Sequence, residues 1–331
     1  MTEVNYNKGA MDKHTLQITD INKADDRFRF CYFPDLSSIL SSIKKIGLVY
    51  PLVLTERAGK KIIVCGWKRL LACEKLSYSE VPALILNEED DLKVFNTAVF
   101  ENAAFRKFNL LEKAEILSKW RSFNVKEITV IRELMPLFDI PPTKEYFDLF
   151  HAISGIDNDI KREIAYNRMD LKTLALFIEV DPSSRKTILP MLLSLSQNKQ
   201  KELLGNLVEI TLRENISFDS LINSKNFQTI MNMEHLSVRQ RTERLSQYLK
   251  EIRFPLLASR LDRFASLSNK TGLKKERIDI KASDYFEGEG MMFSFSVCDV
   301  DEYNKKLKAL TELTGKKELS ELFKLISNED E

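Results

Sequence analysis

Leu48-Val49-Tyr50-Pro51-Leu52-Val53-Leu54, followed by Ile62-Ile63-Val64-Cys65 and then Gly66-Trp67-Lys68-Arg69-Leu70-Leu71-Ala72-Cys73-Glu74-Lys75-Leu76, is the stretch whose reading decides the fold. Short apolar runs bounded by turn formers read as buried strands, with Ala58-Gly59-Lys60 as the turn between the two. The second strand breaks at Gly66 and resumes as a helix from Leu70 to Leu76. A strand that ends in glycine and feeds a helix start carrying Lys68 and Arg69 presents backbone N–H groups and two cations to an anion. Gly66, Lys68 and Arg69 are therefore candidate phosphate ligands. Glu101-Asn102, on the next helical segment, adds a carboxylate and an amide for a metal or a ribose. Taken singly, Gly66 is also an ordinary turn glycine, and Lys68 and Arg69 a solvated helix start.

The order of these features carries more than any one of them. Gly47-Leu48 with Pro51, Gly66 with Arg69 and Ala72, Val81-Pro82, Glu101-Asn102, and Asn109 with Leu111, Glu112 and Ala114 follow one another along about a quarter of the chain. At these residues the chain resembles the N-terminal domain of the ParB family of DNA-partition proteins, whose relatives include sulfiredoxins and a free-serine kinase. The resemblance implies CTP or another nucleotide with magnesium, held by Gly66, Lys68, Arg69, Glu101 and Asn102, with Glu101 as the magnesium ligand. It also implies DNA as partner and a homodimer whose N-terminal domains close around it.

Departures from the pattern qualify the chemistry. Trp67 stands where the family usually has an acidic residue, and Tyr50 replaces a glutamine. Trp67 either packs over the first strand or stacks on a base or ribose. The family's arginine after Glu-Asn falls at Phe105, and Arg106, one residue later, would point elsewhere on a continuing helix. These changes leave at most a weak, CTPase-like triphosphatase activity. Sulfiredoxin chemistry needs a cysteine directly after the motif glycine, and Trp67 occupies that place.

Composition narrows the alternatives. At 331 residues with 44% hydrophobic content, the chain has material for about two or three folded domains. The start, Met1 to Lys13, lacks the apolar region of a signal peptide, and no segment approaches a membrane span of about 20 apolar residues, so a cytoplasmic protein with no membrane partner is expected. Cys31, Cys65, Cys73 and Cys298 contain no C-x-x-C pair, which suits reduced thiols.

Periodicity divides the chain into a flexible tail over 1–21, the α/β domain over 22–108, an all-helical middle over 109–253 and a small C-terminal α/β domain over 254–331. The fold class expected is α+β, predominantly helical. In the first domain Leu36 to Ile43 reads as an amphipathic helix and Val81 to Leu86 as a third strand. In the middle, Leu111 to Phe123, Val125 to Phe138, Lys144 to Ile153, Asp159 to Tyr166 and Leu171 to Val180 read as helices, with Asp157, Asp170 and Asp181 at N-cap positions. The last domain offers strands at Arg277 to Lys281 and Met291 to Val297, a Gly288-Glu289-Gly290 turn between them and a helix from Val300 to Leu313.

Two DNA-binding surfaces suggest themselves. Val125 to Phe138, the turn Asp139-Ile140-Pro141-Pro142 and a helix capped by Thr143 form a candidate helix-turn-helix with Thr143 and Lys144 toward DNA. Its charge is unfavourable, since 125–172 carries seven cations against nine anions. By contrast, 236–278 carries eleven Lys and Arg against four acidic residues, which singles out Arg239, Arg241 and Arg244 as phosphate contacts, while 284–331 has twelve acidic residues against six lysines. The plain alternative is a solvated helix face. A nucleotide-sensing, DNA-binding protein of partition or regulation is the leading expectation; a small-molecule phosphotransfer enzyme using Glu101, or a non-catalytic interaction adaptor, are the others.

Overall fold

The computed structural model describes residues 12–167, 169–283, 286 and 290–327. It is a predominantly helical α+β chain, divided into two compact units, Met1–Leu204 and Gly205–Glu331. That division falls within a long helix, Gln197–Glu214; we propose finer boundaries at 108/109 and 253/254.

The N-terminal unit is built on a four-stranded sheet in the order β1-β4-β2-β3, from β1 (Asp12–Gln17), β2 (Leu52–Arg57), β3 (Lys60–Cys65) and β4 (Glu80–Ile85). β1 pairs antiparallel with β4, β4 parallel with β2, and β2 antiparallel with β3. The β2–β3 turn places Ala58 and Gly59 both at positive φ, the backbone of a tight two-residue hairpin. Leu52, Leu54, Ile62, Ile63, Val64 and Cys65 are all at most 2% exposed, so the sheet centre is covered. Helices α1 (Ser37–Ile46) and α2 (Trp67–Lys75) supply Ile43, Leu70, Ala72 and Cys73 to the same core.

Two expectations are corrected here. The segment to residue 21 was expected as a tail, yet Asp12–Gln17 is a paired strand. As an edge strand it exposes Lys13, His14, Thr15 and Gln17 and packs mainly through Leu16, so its composition reads as tail. The strand expected from Leu48 starts only at Leu52, because Val49 and Tyr50 are 62% and 73% exposed in the approach to Pro51. Of the polar start Met1 to Lys13, residues 1–11 lie outside the described residues.

Helices α3 (Asp91–Phe105), α4 (Leu110–Ser122), α5 (Glu127–Thr129), α6 (Lys144–Ser154), α7 (Asn158–Asn167), α8 (Leu171–Glu179), α9 (Pro182–Leu193) and α10 (Gln197–Glu214) follow. Asp90 caps α3, Thr143 caps α6 and Asp170 caps α8 through their side chains, whereas Asp181 makes no such bond. The single helix expected over Val125 to Phe138 is instead α5, a π-helical turn at Val130–Leu134 and a 3-10 turn at Met135–Phe138. Pro136 removes an N–H that a continuous helix needs, and Asp139 at φ 56° ends the segment.

The C-terminal unit continues with α11 (Phe218–Ile222), α12 (Lys225–Met231), α13 (Val238–Arg253), α14 (Pro255–Thr271), β5 (Asp279–Ala282), β6 (Met291–Ser294), α15 (Val300–Leu313) and α16 (Lys317–Ser327). β5 and β6 form a two-stranded antiparallel sheet. Phe264, Leu267, Leu322, Leu325 and Ile326 form one core cluster there. Of the expected Gly288-Glu289-Gly290 turn, the first two residues lie outside the described ones. Among the described residues no helix is long and apolar enough to cross a membrane.

Candidate functional site

At the β3–α2 junction lies a cavity of about 200 Å³ lined by Phe28, Phe30, Cys31, Ile39, Val64, Gly66, Trp67, Lys68, Arg69, Asn102 and Arg106. Four of the five residues expected to hold a nucleotide thus share one cavity. The fifth, Glu101, lies beside it: its Oε2 accepts from Asn102 Nδ2 at 3.2 Å, and its carboxylate lies against the Cys65 thiol, which burial, chiefly, pushes up. Asn102 Nδ2 also donates to the Ala98 carbonyl at 2.9 Å.

Gly66 is required by its backbone and its surroundings. Its φ of +109° is a conformation side chains rarely take, and a Cβ there would meet Leu52 Cδ2 at 2.7 Å and Arg69 Nε and Nη2 at 3.2 Å each. The Arg69 guanidinium therefore lies across the glycine at the start of α2. Its Nη1 donates to the carbonyls of Pro51 (2.6 Å) and Tyr50 (3.2 Å), tying the loop before β2 to the helix start. No side chain caps α2, so its first N–H groups face the junction unserved by one, and Lys68 has no ion-pair partner among the described residues. Uncapped N–H groups with adjoining cations form an anion site.

Trp67 packs. It is 8% exposed and belongs to the sheet core, and the Arg29 guanidinium stacks over its ring at 4.3 Å and over the Tyr32 ring at 4.8 Å. Its Nε1–H is buried without an acceptor.

Arg106 corrects an expectation. It lines the cavity, while Phe105, in the family's arginine position, is 83% exposed. α3 ends at Phe105, and Arg106 takes extended backbone (φ −157°, ψ 156°), which frees its side chain from the helical direction. The guanidinium pairs with Glu112 Oε2 at 2.7 Å and stacks on Phe108 at 4.9 Å. The signal in the sequence was the next N-cap: Asn109 starts α4, so α3 has to end near residue 105.

Asn109 and Glu112 form a reciprocal capping box, with Asn109 Oδ1 accepting from Glu112 N (2.9 Å) and Glu112 Oε2 accepting from Asn109 N (3.0 Å). Burial alone would raise the Glu112 carboxyl, but Arg106 and these bonds hold it below its ordinary value. The Cys31 thiol, beside that carboxylate, is pushed up to about 12, chiefly by burial. Among the described residues no group of three or more His, Cys, Asp or Glu is placed to hold a metal. A magnesium ion held here would have Glu101 as its one carboxylate, with bound phosphates completing the coordination.

The DNA-contact candidates belong to different units, Thr143 and Lys144 to the first and Arg239, Arg241 and Arg244 to the second. Thr143 Oγ1 accepts from Tyr146 N as the α6 cap, and Lys144 is paired with Asp148 (2.7 Å) and Glu127 (3.0 Å). On α13, Arg244 is exposed, and Arg239, also exposed, pairs with Glu243 at 3.3 Å. Arg241 turns inward: its Nη1 donates to the Met231 carbonyl at 2.7 Å, and its Nε is buried. At about 100° per residue, Arg241 lies about 160° from Arg239 and beside the buried stripe of Leu245 and Leu249, so the three arginines cannot share one face.

Residues 2–103 match the family model of the ParB N-terminal domain. A probable chromosome-partitioning protein ParB from Campylobacter jejuni is 32% identical over 79 residues, 24% of this chain and 28% of that protein, so the match spans little more than a quarter of the relative's length. Among solved structures, the C-terminally truncated chromosome-partitioning protein ParB from Caulobacter crescentus complexed with CTP-gamma-S is 17% identical. It covers 54% of this chain and 99% of its own, at a TM-score of 0.26. The same truncated protein complexed to the centromeric parS site is 16% identical over 58% of this chain and 98% of its own, at a TM-score of 0.32. Through residues 2–103 the chain carries a ParB N-terminal domain.

Proposed function

We propose that this chain is a ParB-like DNA-binding protein whose N-terminal domain senses a nucleotide. The observation that carries the reading is the single cavity that gathers Gly66, Lys68, Arg69 and Asn102 at the uncapped start of α2, inside a matched ParB N-terminal domain. In this proposal the α2 N–H groups, Lys68 and Arg69 hold the phosphates of CTP or another nucleoside triphosphate, and Glu101 with Asn102 faces its magnesium or ribose. Magnesium, when bound, would screen phosphate charge. The ParB name of the Campylobacter relative supports a part in DNA partition.

DNA would meet the exposed Arg239 and Arg244, and Thr143 with Lys144 in the helix-turn-helix position, and the two-stranded sheet of β5 and β6 would join a second copy through its open edge. Nucleotide binding then acts as a switch: Arg69 ties the ligand site to the Tyr50–Pro51 loop, and Arg106 with Glu112 ties it to the start of α4.

A melting panel of the four ribonucleoside triphosphates with magnesium, with and without DNA, tests this. A ligand at about 100 times its dissociation constant adds about 2.7 kcal/mol, which is about 5–10 °C for a unit near 200 residues. No shift with any triphosphate, together with DNA retention indifferent to salt, refutes the reading.

A further inference from the structure

We propose that Glu145 is a specificity-determining residue of the helix-turn-helix, its carboxylate accepting from the N4 amino group of a cytosine in the major groove. The inference rests on the reading above that Thr143 and Lys144 start a helix that meets DNA.

The exposed face of α6 is acidic. Phe147, Phe150 and Ile153 are buried, and at about 100° per residue they define one side of the helix, which leaves Lys144, Glu145 and Asp148 exposed on the other. Lys144, the only lysine or arginine of α6, is already compensated: its Nζ lies 2.7 Å from Asp148 and 3.0 Å from Glu127. Three carboxylates, those of Glu127, Glu145 and Asp148, thus stand against one ammonium. Phosphates repel such a surface, so a groove that accepts α6 has to hold it through base edges.

Glu145 is placed for that contact. It is the second residue of α6, directly after the Thr143 cap and Lys144, and the first turn of a recognition helix is the part that reaches base edges. Its carboxylate has no hydrogen-bond or ion-pair partner among the described residues, whereas Asp148, one turn further on, is engaged by Lys144.

The chemistry of a carboxylate then selects the base. An ionised carboxylate only accepts hydrogen bonds. In the major groove guanine presents two acceptors, N7 and O6, and thymine presents O4 beside a methyl group, so neither offers it a donor. Adenine sets its N6 amino group next to the N7 acceptor, which repels the second carboxylate oxygen. Cytosine presents an amino donor with no acceptor of its own beside it. On any base without a donor the carboxylate leaves water and gains nothing, and that loss is the source of discrimination.

The test selects from a pool of random-sequence DNA duplexes with the full-length protein, wild type beside Glu145→Ala and Glu145→Gln, each checked for cooperative melting. The wild type is expected to enrich a motif with cytosine at one position, bound about tenfold more tightly than the same site carrying guanine there, or about 1.4 kcal/mol. Glu145→Ala should lose the preference at that position and at no other. Glu145→Gln should move it to adenine, because a carboxamide accepts from N6 and donates to N7. A glutamate that only stabilises the first turn of α6 would instead lower the melting temperature in both variants and leave the motif unchanged. The same motif from all three proteins therefore overturns the assignment. If the wild type enriches no motif, the reading of α6 as a DNA-recognition helix falls and takes this proposal with it, an outcome distinct from a motif that ignores Glu145.

Discussion

Replacing Gly66 by alanine tests whether the β3–α2 junction is built as described. Two costs add. A residue with a side chain held at φ +109° carries about 1–3 kcal/mol of backbone strain. The new Cβ would sit 2.7 Å from Leu52 Cδ2, and Leu52 is fully buried in the sheet core, so relief requires that core to shift. Overpacking of this kind costs about 1–3 kcal/mol. Together the variant loses about 2–6 kcal/mol, which for a unit near 200 residues lowers its melting temperature by about 5–20 °C.

Gly59→Ala is the control. Gly59 also has positive φ, at +71°, but a Cβ there meets nothing within 4 Å. It carries the conformational cost alone, about 1–2 kcal/mol. Scanning calorimetry of the two variants beside the wild type separates strain from packing. If Gly66→Ala melts within about 2 °C of Gly59→Ala, the contact with Leu52 is not a constraint and the junction is looser than described. The same Cβ would crowd Arg69 Nε and Nη2 at 3.2 Å, so nucleotide binding should fall even where the variant remains folded.

Four further outcomes are expected. Glu112, held below its ordinary value of 4.5, contributes stability that is present above that value and is lost as pH falls through its folded value; Glu112→Gln should flatten the acid limb of a melting-temperature profile below about pH 4.5, and parallel profiles would contradict this. At neutral pH a thiol reagent should label the exposed Cys298 quickly, because Cys31 is pushed up to about 12 and Cys65 and Cys73 are buried; all four should react once the chain is unfolded, and Cys298→Ser should remove the fast phase. Changing Arg239 and Arg244 together to glutamine should reduce the slope of DNA affinity against salt by about 2, whereas Arg241→Gln should lower the melting temperature and leave that slope alone; equal effects on the slope would refute the inward placement of Arg241. Met292→Lys, on the two-stranded sheet at a residue 65% exposed, should reduce self-association in sedimentation, and unchanged mass would remove the edge of that sheet from the dimer.

The sheet centre and the candidate site were legible because each rests on a local signal. The β2 and β3 runs are apolar, Gly66 punctuates strand and helix, and Asn109 with Glu112 spells a capping box that the structure forms. Less legible was whatever depends on a partner distant in sequence. Lys144 counts as a cation in any window, yet Glu127 from α5 and Asp148 already surround it. Arg106 became a cavity residue because α3 ends just before it and because Glu112 receives it, and only the first reason is written locally. The arginines show the general cause. Arg69 is bound to the carbonyls of Tyr50 and Pro51, Arg213 to those of Ile252 and Arg253, Arg241 to that of Met231, and Arg57 to that of Glu88. Arg213 and Arg241 satisfy carbonyls where α13 and α12 stop, and Arg69 and Arg57 those of the loops before β2 and α3. A count of basic residues is thus an upper bound on the charge a chain can offer to phosphate, and the bound is loosest in a helical protein with many termini to close. Of Arg239, Arg241 and Arg244, that reasoning removes Arg241 and leaves the exposed Arg239 and Arg244 to test.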